Sequence, residues 1–327
     1  MGKRVAITGA TGFVGGALAR ELAQQDYELR LLVRPHSDRN PLADIPAEWC
    51  VGDVLQAETL PDLVHGADWV IHAAGMLGQA GVPETAYHEL HVEGTRRVLT
   101  AVAQHTPNAR VLYISSPGVL GPIDGPPADE SAPLAPSNPY ERSKAAAERV
   151  VLDFAAKGLD VVVVRPEFIY GPGDMHVLGL FQAVQRGLFF TINSGRAVCH
   201  PTFIDDAVAG MVACLQNGRS ANVYHITGPR PVTFRELGDT IAAALGVRQP
   251  WLSLPKPLAL LGAIALEATG KLTGMSPPLS RTGVAFFSEN RRFSWQKAHD
   301  ELGYSPQVDL AAGVRQTVNW YREQKKL

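Results

Sequence analysis

The sequence predicts an α/β protein, a doubly wound parallel sheet with a smaller, mostly helical C-terminal part. Three observations predict it. Short, wholly apolar runs recur along the first two-thirds of the chain, helical stretches separate them, and the rhythm changes after Pro166. Continuous apolar strands that alternate with helices bury both faces of a parallel sheet. The first strand is Val5-Ala6-Ile7, and Leu18 to Gln25 follows with Leu18, Leu22 and Ala23 on one helical face. The second is Leu29 to Val33, ended by Arg34-Pro35, and a third precedes Gly52. Trp69 to Ile71, Val111 to Ile114 and Val161 to Val164 follow, with helices predicted over Glu84 to His105 and Tyr140 to Lys157.

Beyond Pro166, glycine and proline cluster at Gly171-Pro172-Gly173. A helix is predicted from near Asp205 to about Asn217, then a strand from Val223 to Ile226. From Thr233 the pattern is mostly helical, with a break where Pro255 and Pro257 flank Lys256. The boundaries read as residues 1–170 plus about 198–229 for one domain, and about 171–197 plus 230–327 for a second.

Composition narrows the function classes. Hydrophobic residues are 46% and charged residues 19% of the 327, as in a globular protein with a large core. A net charge of -2 and the lack of basic stretches interleaved with aromatics argue against a nucleic-acid partner. Cys50, Cys199 and Cys214 lack metal-ligand spacing, so no metal is expected and the thiols read as reduced. Met1-Gly2-Lys3-Arg4 does not open a signal peptide, and no apolar run reaches the ~18 residues of a membrane span. A cytoplasmic location is the default expectation.

The first strand runs into Thr8-Gly9-Ala10-Thr11-Gly12-Phe13-Val14-Gly15 and then into a helix. Glycine permits a tight turn and close approach of a diphosphate to the unpaired amides of a helix N-terminus. That context, after a strand and before a helix, marks a dinucleotide loop. An acidic residue at the end of strand two would hold the ribose of NAD. This chain has Arg34, with Asp38 and Arg39 nearby, and a guanidinium suits a 2′-phosphate, so NADP is expected and NAD is second choice. The other reading of Arg34 is a solvated strand end. Asp53, in Gly52-Asp53-Val54, either accepts from an adenine amino group or makes a plain turn.

Tyr140 and Lys144 are four apart on a predicted helix and share a face. Ionising a free phenol near pH 7 costs about 4 kcal/mol, and a cation ~4 Å away offsets a similar amount. A neighbouring lysine therefore makes tyrosine usable as an acid and base. Tyr321 and Lys325 share the spacing but lack an upstream hydroxyl at a strand end. Ser115 and Ser116 close the strand Val111 to Ile114, where parallel sheets gather ligands and a hydroxyl can donate to a substrate oxygen.

Taken together, Thr8 to Gly15, His72-Ala73-Ala74-Gly75, Ile114-Ser115-Ser116, Tyr140 to Lys144 and Arg165-Pro166 to Gly171-Pro172-Gly173 resemble the extended short-chain dehydrogenase/reductase family. Ile204-Asp205-Asp206-Ala207 and Lys297 to Tyr304 extend the resemblance over nearly the whole chain. It implies a Rossmann-type nucleotide domain and a smaller substrate domain. It makes Tyr140 the acid/base, with Lys144 lowering its pKa and holding the nicotinamide ribose. Ser116 becomes the substrate-oxygen donor, with Ser115 close by. Ala73 and Ala74 would line the cofactor, and Pro166, Phe168 and Ile169 would flank the nicotinamide. A homodimer through the two long helices is implied by resemblance alone.

Two departures stand out. His91 replaces a frequent asparagine and is either a proton relay or a packing histidine. Cys199 stands where relatives acting on nucleotide sugars often carry an arginine, with Arg196 or Arg230 as substitutes. The stretch Leu32 to Pro35 resembles the branch of flavonol-type ketoreductases and hydroxysteroid dehydrogenases. Trp251 to Met275 contains an apolar helix, read as a buried helix, a pocket wall or a membrane-surface contact. The function expected is an NADP-dependent interconversion of alcohol and ketone on a small, apolar substrate. The alternatives are a nucleotide-sugar epimerase or dehydratase that retains NAD, and a non-catalytic dinucleotide sensor.

Overall fold

The computed structural model describes residues 2–79, 81–273 and 279–327; Met1 and Met275 lie outside them. Seven strands form one parallel sheet: β1 (Arg4–Thr8), β2 (Glu28–Val33), β3 (Ala47–Val51), β4 (Trp69–His72), β5 (Arg110–Ile114), β6 (Val161–Pro166) and β7 (Val223–Ile226). Their order is β7-β6-β5-β4-β1-β2-β3. The strand order reverses between β1 and β4, the switch point at which such sheets open a crevice for ligands.

Side chains alternate between two cores, as the period of a strand requires. Val5 and Ile7 of β1 face one core with Leu29, Leu31, Ile71, Leu112, Val162 and Val164. Ala6 faces the other with Leu32, Val70, Val111, Val161 and Val163. Helices Phe13–Gln24 and Ile204–Asn217 cover the first face, through Leu18, Leu22, Ala207 and Met211. Helices Gly94–His105 and Pro139–Ala156 cover the second, through Val98, Leu99, Ala147 and Val151.

The predicted Glu84 to His105 helix is interrupted. Helix Glu84–His88 passes through a π-helical turn, Glu89–Glu93, before Gly94–His105 begins. Such wider turns are rare and frequently fall at functional sites; this one carries His91. Helix Pro139–Ala156 starts sharply because Pro139 opens it and Asn138 accepts from the Glu141 amide at 3.0 Å. Tyr140 is thereby fixed in its first turn.

After β6 the chain makes two-residue strand pairs: Ile169–Tyr170 with Thr202–Phe203, Val198–Cys199 with Val232–Thr233, and Thr191–Ile192 with Ser253–Leu254. Pro257 sits in the first turn of helix Lys256–Thr273, so the proline pair starts that helix. The helix buries Ala259 and Ala263 but leaves Leu258, Leu261 and Ile264 half or more exposed, so it is not buried all round. All three cysteines are free. Among the described residues no helix is long and apolar enough to cross a membrane.

Candidate active site

The glycine loop is built against the switch point. Gly9 has φ +71°, and a Cβ on it would lie 2.7 Å from the backbone of Ala73 and Ala74, just past β4. A Cβ on Gly15 would overlap the Gly9 carbonyl oxygen, so only glycine lets the helix cross the loop this closely. Thr11 and Gly12 are exposed at the lip, with Phe13 and Val14 half-buried behind them. Gly12 caps the helix without a side-chain bond, and the first turn holds no acidic residue. The amides there face outward as an anion cradle. Thr8 ties the two strand ends together, its hydroxyl 2.7 Å from His72 Nδ1 and accepting from the Ala74 amide at 3.2 Å.

Arg34 follows β2, beside β1, with an exposed side chain and no ion pair among the described residues. Arg39 instead stacks over Trp49, its guanidinium carbon 5.6 Å from the ring centre. Asp53 Oδ1 accepts from the Leu55 amide at 3.0 Å, which engages that oxygen in a turn at the end of β3. Val54 is buried and touches the space beside Gly94.

Ser115 and Ser116, adjacent in sequence, part company in space. The Ser115 hydroxyl donates to Glu148, which is buried in a two-point ion pair with Arg165 at 2.6 and 2.9 Å. Ser116 is half-buried and accepts from the Gly118 amide at 3.2 Å. Loss of solvent pushes the Tyr140 phenol up to about 12, and the nearby Ser116 hydroxyl pulls against that. Lys144, one turn along the helix, donates to the Ile114 carbonyl at 2.8 Å, its ammonium 5.0 Å from the centre of the Tyr113 ring. Burial lowers the ammonium to about 8, opposed by Glu148.

His91 bridges the cofactor side to the tyrosine helix. Its Nε2 accepts from the Met76 amide at 3.1 Å, which places the proton on Nδ1, 2.8 Å from Ser143 Oγ. Ser143 in turn donates to the Tyr140 carbonyl at 2.7 Å. Burial, then the charge of Lys144, lowers His91 to about 3, so the ring is neutral. The segment it holds passes over the site. A Cβ on Gly75 would lie 3.9 Å from Lys144 Nζ, and one on Gly78 would lie 3.4 Å from Tyr140 Cβ.

The end of β6 supplies the facing wall. Pro166 closes the strand, and Phe168 takes φ +34°, a strained value for a side chain that costs about 1–3 kcal/mol. Its carbonyl accepts from the Thr202 amide at 3.1 Å, and its ring centre lies 5.4 Å from that of Phe286. Ile169 begins the short strand beside Thr202. Gly173 reaches back toward the glycine loop, a Cβ there lying 3.6 Å from the Phe13 ring.

Sequence reasoning missed three charged groups. Glu141 and Arg291 form a buried ion pair at 2.8 Å. Glu167, buried and next to Pro166, is raised to about 7 by lost solvation, with Arg291 opposing and Glu141 reinforcing the rise. Glu167 and Glu141 raise the Tyr140 phenol and Arg291 lowers it, so all four share one field. Their only sequence signal was the position of Glu167 at a strand end; Arg291 is 150 residues from Glu141. Of the arginines weighed as substitutes for Cys199, Arg230 is paired with Glu236 and Arg196 is exposed. Asp206 accepts from the Gln307 and Val308 amides at 2.8 and 2.9 Å and so clasps the C-terminal segment. Among the described residues no cluster of three or more His, Cys, Asp or Glu could hold a metal.

The cradle that added Cβ atoms would fill at Gly9 and Gly15, and the outward amides beyond, fit a dinucleotide. Comparison with known proteins agrees. Residues 5–227 match the NAD dependent epimerase/dehydratase family. A putative dihydroflavonol 4-reductase of Synechocystis is 29% identical, covering 97% of this chain and 94% of the relative. A 4-hydroxy-2-methyl-3-oxo-4-farnesyl-3,4-dihydroquinoline-1-oxide ketoreductase of Stigmatella aurantiaca is also 29% identical, covering 95% of this chain and 94% of its own. The dTDP-glucose 4,6-dehydratase DesIV of Streptomyces venezuelae, solved as a double mutant with NAD and DAU bound, superposes with a TM-score of 0.80 at 27% identity, over 99% of this chain and 98% of that one.

Proposed function

The chain belongs to the NAD dependent epimerase/dehydratase family, and on that footing we propose that it is an NADP-dependent reductase that interconverts a ketone and an alcohol on a small, apolar substrate. The observation that carries this reading is the Ser116 hydroxyl at the carboxyl end of β5, close enough to the Tyr140 phenol to pull its pKa down. Two hydroxyls there can share one substrate oxygen, Ser116 orienting it and Tyr140 exchanging its proton. A phenol raised to about 12 stays protonated at neutral pH, which suits donation to a developing alkoxide.

Gly9 to Gly15, Ala73 to Gly75 and the Pro166 to Ile169 segment would hold the dinucleotide, with Arg34 on the 2′-phosphate, Asp53 and Val54 near the adenine, and Ser115 behind the nicotinamide. The bound nicotinamide supplies or accepts the hydride. Lys144, in reach of Gly75, would hold the ribose and place a positive charge beside the phenolate that Tyr140 becomes. The first turn of its helix adds a favourable dipole there. Residues 1–170 with about 198–229 would form the cofactor side, and 171–197 with 230–327 the substrate side. The Phe168–Phe286 contact supports an apolar wall for the substrate.

The likeness to a dehydratase with bound NAD favours a second reading, an epimerase or dehydratase that keeps its cofactor through turnover. A titration with NADPH and NADH, followed by fluorescence and repeated on Arg34→Ala, separates the two. The proposal expects NADPH to bind tenfold or more tighter and the preference to collapse in the variant. Tight NAD(H) that survives gel filtration and ignores Arg34 would replace it with the second reading.

A further inference from the structure

Helix Lys256–Thr273 turns the usual order of a surface helix inside out. Such a helix normally buries its apolar stripe and lines water with charge. Here the residues packed inward are Ala259 and Ala263, against Ile192, Val284 and Leu254. The outward face carries Leu258, Leu261, Ile264, Ala265 and Ala268, with no charge among them, and a Cβ on Gly262 would meet nothing within 4 Å. Leu261 is 64% exposed and Leu258 57%.

The patch extends past the helix. Trp251 is 74% exposed, Leu188 69% and Leu252 40%. The strand pairing of Ser253–Leu254 with Thr191–Ile192 brings Trp251 and Leu252 alongside the Leu188 turn, immediately before the helix begins. Apolar surface of this extent on one side of a protein marks a docking site.

Charge identifies the occupant. Arg186, Arg248 and Lys256 border the patch, and none has an ion-pair partner among the described residues. The acidic residue of the helix, Glu267, is engaged by Arg281 at 2.8 Å. An apolar face with tryptophan at its edge and free cations around it matches the interfacial layer of an anionic bilayer: the side chains enter the acyl boundary and the cations meet headgroup phosphates. We propose that this face docks the enzyme on the surface of an anionic phospholipid membrane, without spanning it. The inner side of the helix adds a reason for such docking. Val284 and Phe287 pack beneath it, Phe286 adjoins Phe287, and Phe286 lies against Phe168 at the candidate active site. An apolar seam therefore joins the docking face to the reaction site, as a substrate drawn from a membrane would require.

The test is co-sedimentation of the full chain with vesicles of phosphatidylcholine alone and of phosphatidylcholine with phosphatidylglycerol, which reads binding independently of catalysis. Protein is expected to partition onto the anionic vesicles. Leu261→Glu should weaken this tenfold or more, because a charge replaces a buried apolar group. Removing one cation should weaken it about fivefold, and the Arg186→Gln, Arg248→Gln pair about twentyfold, with binding to neutral vesicles little changed. Both sites are exposed, and unaltered melting and NADPH titration would verify the fold. Failure to bind either vesicle overturns the proposal, as does binding indifferent to Leu261→Glu. A dimer in sedimentation velocity that Leu261→Glu dissociates, without vesicle binding, would assign the face to a second copy and overturn it equally.

Discussion

His91 Nδ1 and Ser143 Oγ lie 2.8 Å apart and lock the segment that crosses the site to the helix that carries Tyr140. With Nε2 held by the Met76 amide, both ring nitrogens are engaged, which is the arrangement of a positioning group. His91→Leu strands that amide and should cost about 1–3 kcal/mol of stability; Ser143→Ala should cost about 1 kcal/mol. Urea unfolding measures both. Loosening of residues 73–79 should raise the cofactor Kd severalfold in His91→Leu. A fall in kcat with cofactor binding unchanged would instead make His91 a proton relay.

In the proposed reaction, Lys144 should give the rate a basic limb. Burial holds the ammonium at about 8, below the ordinary lysine value, so its charge is lost as pH rises through that point. Ketone reduction should fall above pH 8, because the phenolate left on Tyr140 then lacks its cation. Lys144→Arg keeps the charge at every accessible pH and should remove the limb, even at a lower rate. A limb unchanged in that variant would assign it to another group.

Glu167 makes stability depend on pH. Its carboxyl is raised from 4.5 to about 7 in the fold, so the native state holds a proton that the unfolded chain has released between those values. Its favourable contribution is complete below the unfolded pKa and is lost as pH rises through 7. Glu167→Gln should flatten the decline in Tm between pH 5 and 7.5 and leave the variant the more stable of the two above pH 7. Parallel Tm curves would place the carboxylate in solvent.

Glu148 and Arg165 are buried together, and removing one leaves the other unpaired. Glu148→Gln should destabilise the protein by about 3–5 kcal/mol, because it leaves the buried Arg165 guanidinium without its counter-charge. Denaturant unfolding tests this, and a loss below about 1 kcal/mol would mean that water replaces the pair.

Much of this architecture was legible before any coordinates. Val161 to Val164 can only be a strand buried on both faces, and the glycines at 9, 12 and 15 specify a loop between a strand and a helix. β3 was harder, because Ala47–Val51 is an edge strand with no fully buried side chain and no clear pattern. The pairing of Val198–Cys199 with Val232–Thr233 left no trace, since two residues have no period. At the site, Tyr140, Lys144 and the Ser115–Ser116 pair follow from spacing and strand-end context, and the choice of Ser116 as donor follows from the family resemblance. The Glu141–Arg291 pair and the two partners of His91 do not, because each joins segments that only folding brings together.

The most direct test is Tyr140→Phe, assayed for single-turnover ketone reduction alongside NADPH titration. The account predicts a loss of about 10²–10⁴ in the chemical step, with cofactor affinity within about twofold, because the proposed role of the phenol is to exchange the substrate oxygen's proton and not to hold the cofactor. Turnover that survives in Tyr140→Phe would contradict it and remove the proton donor on which the proposed reaction depends.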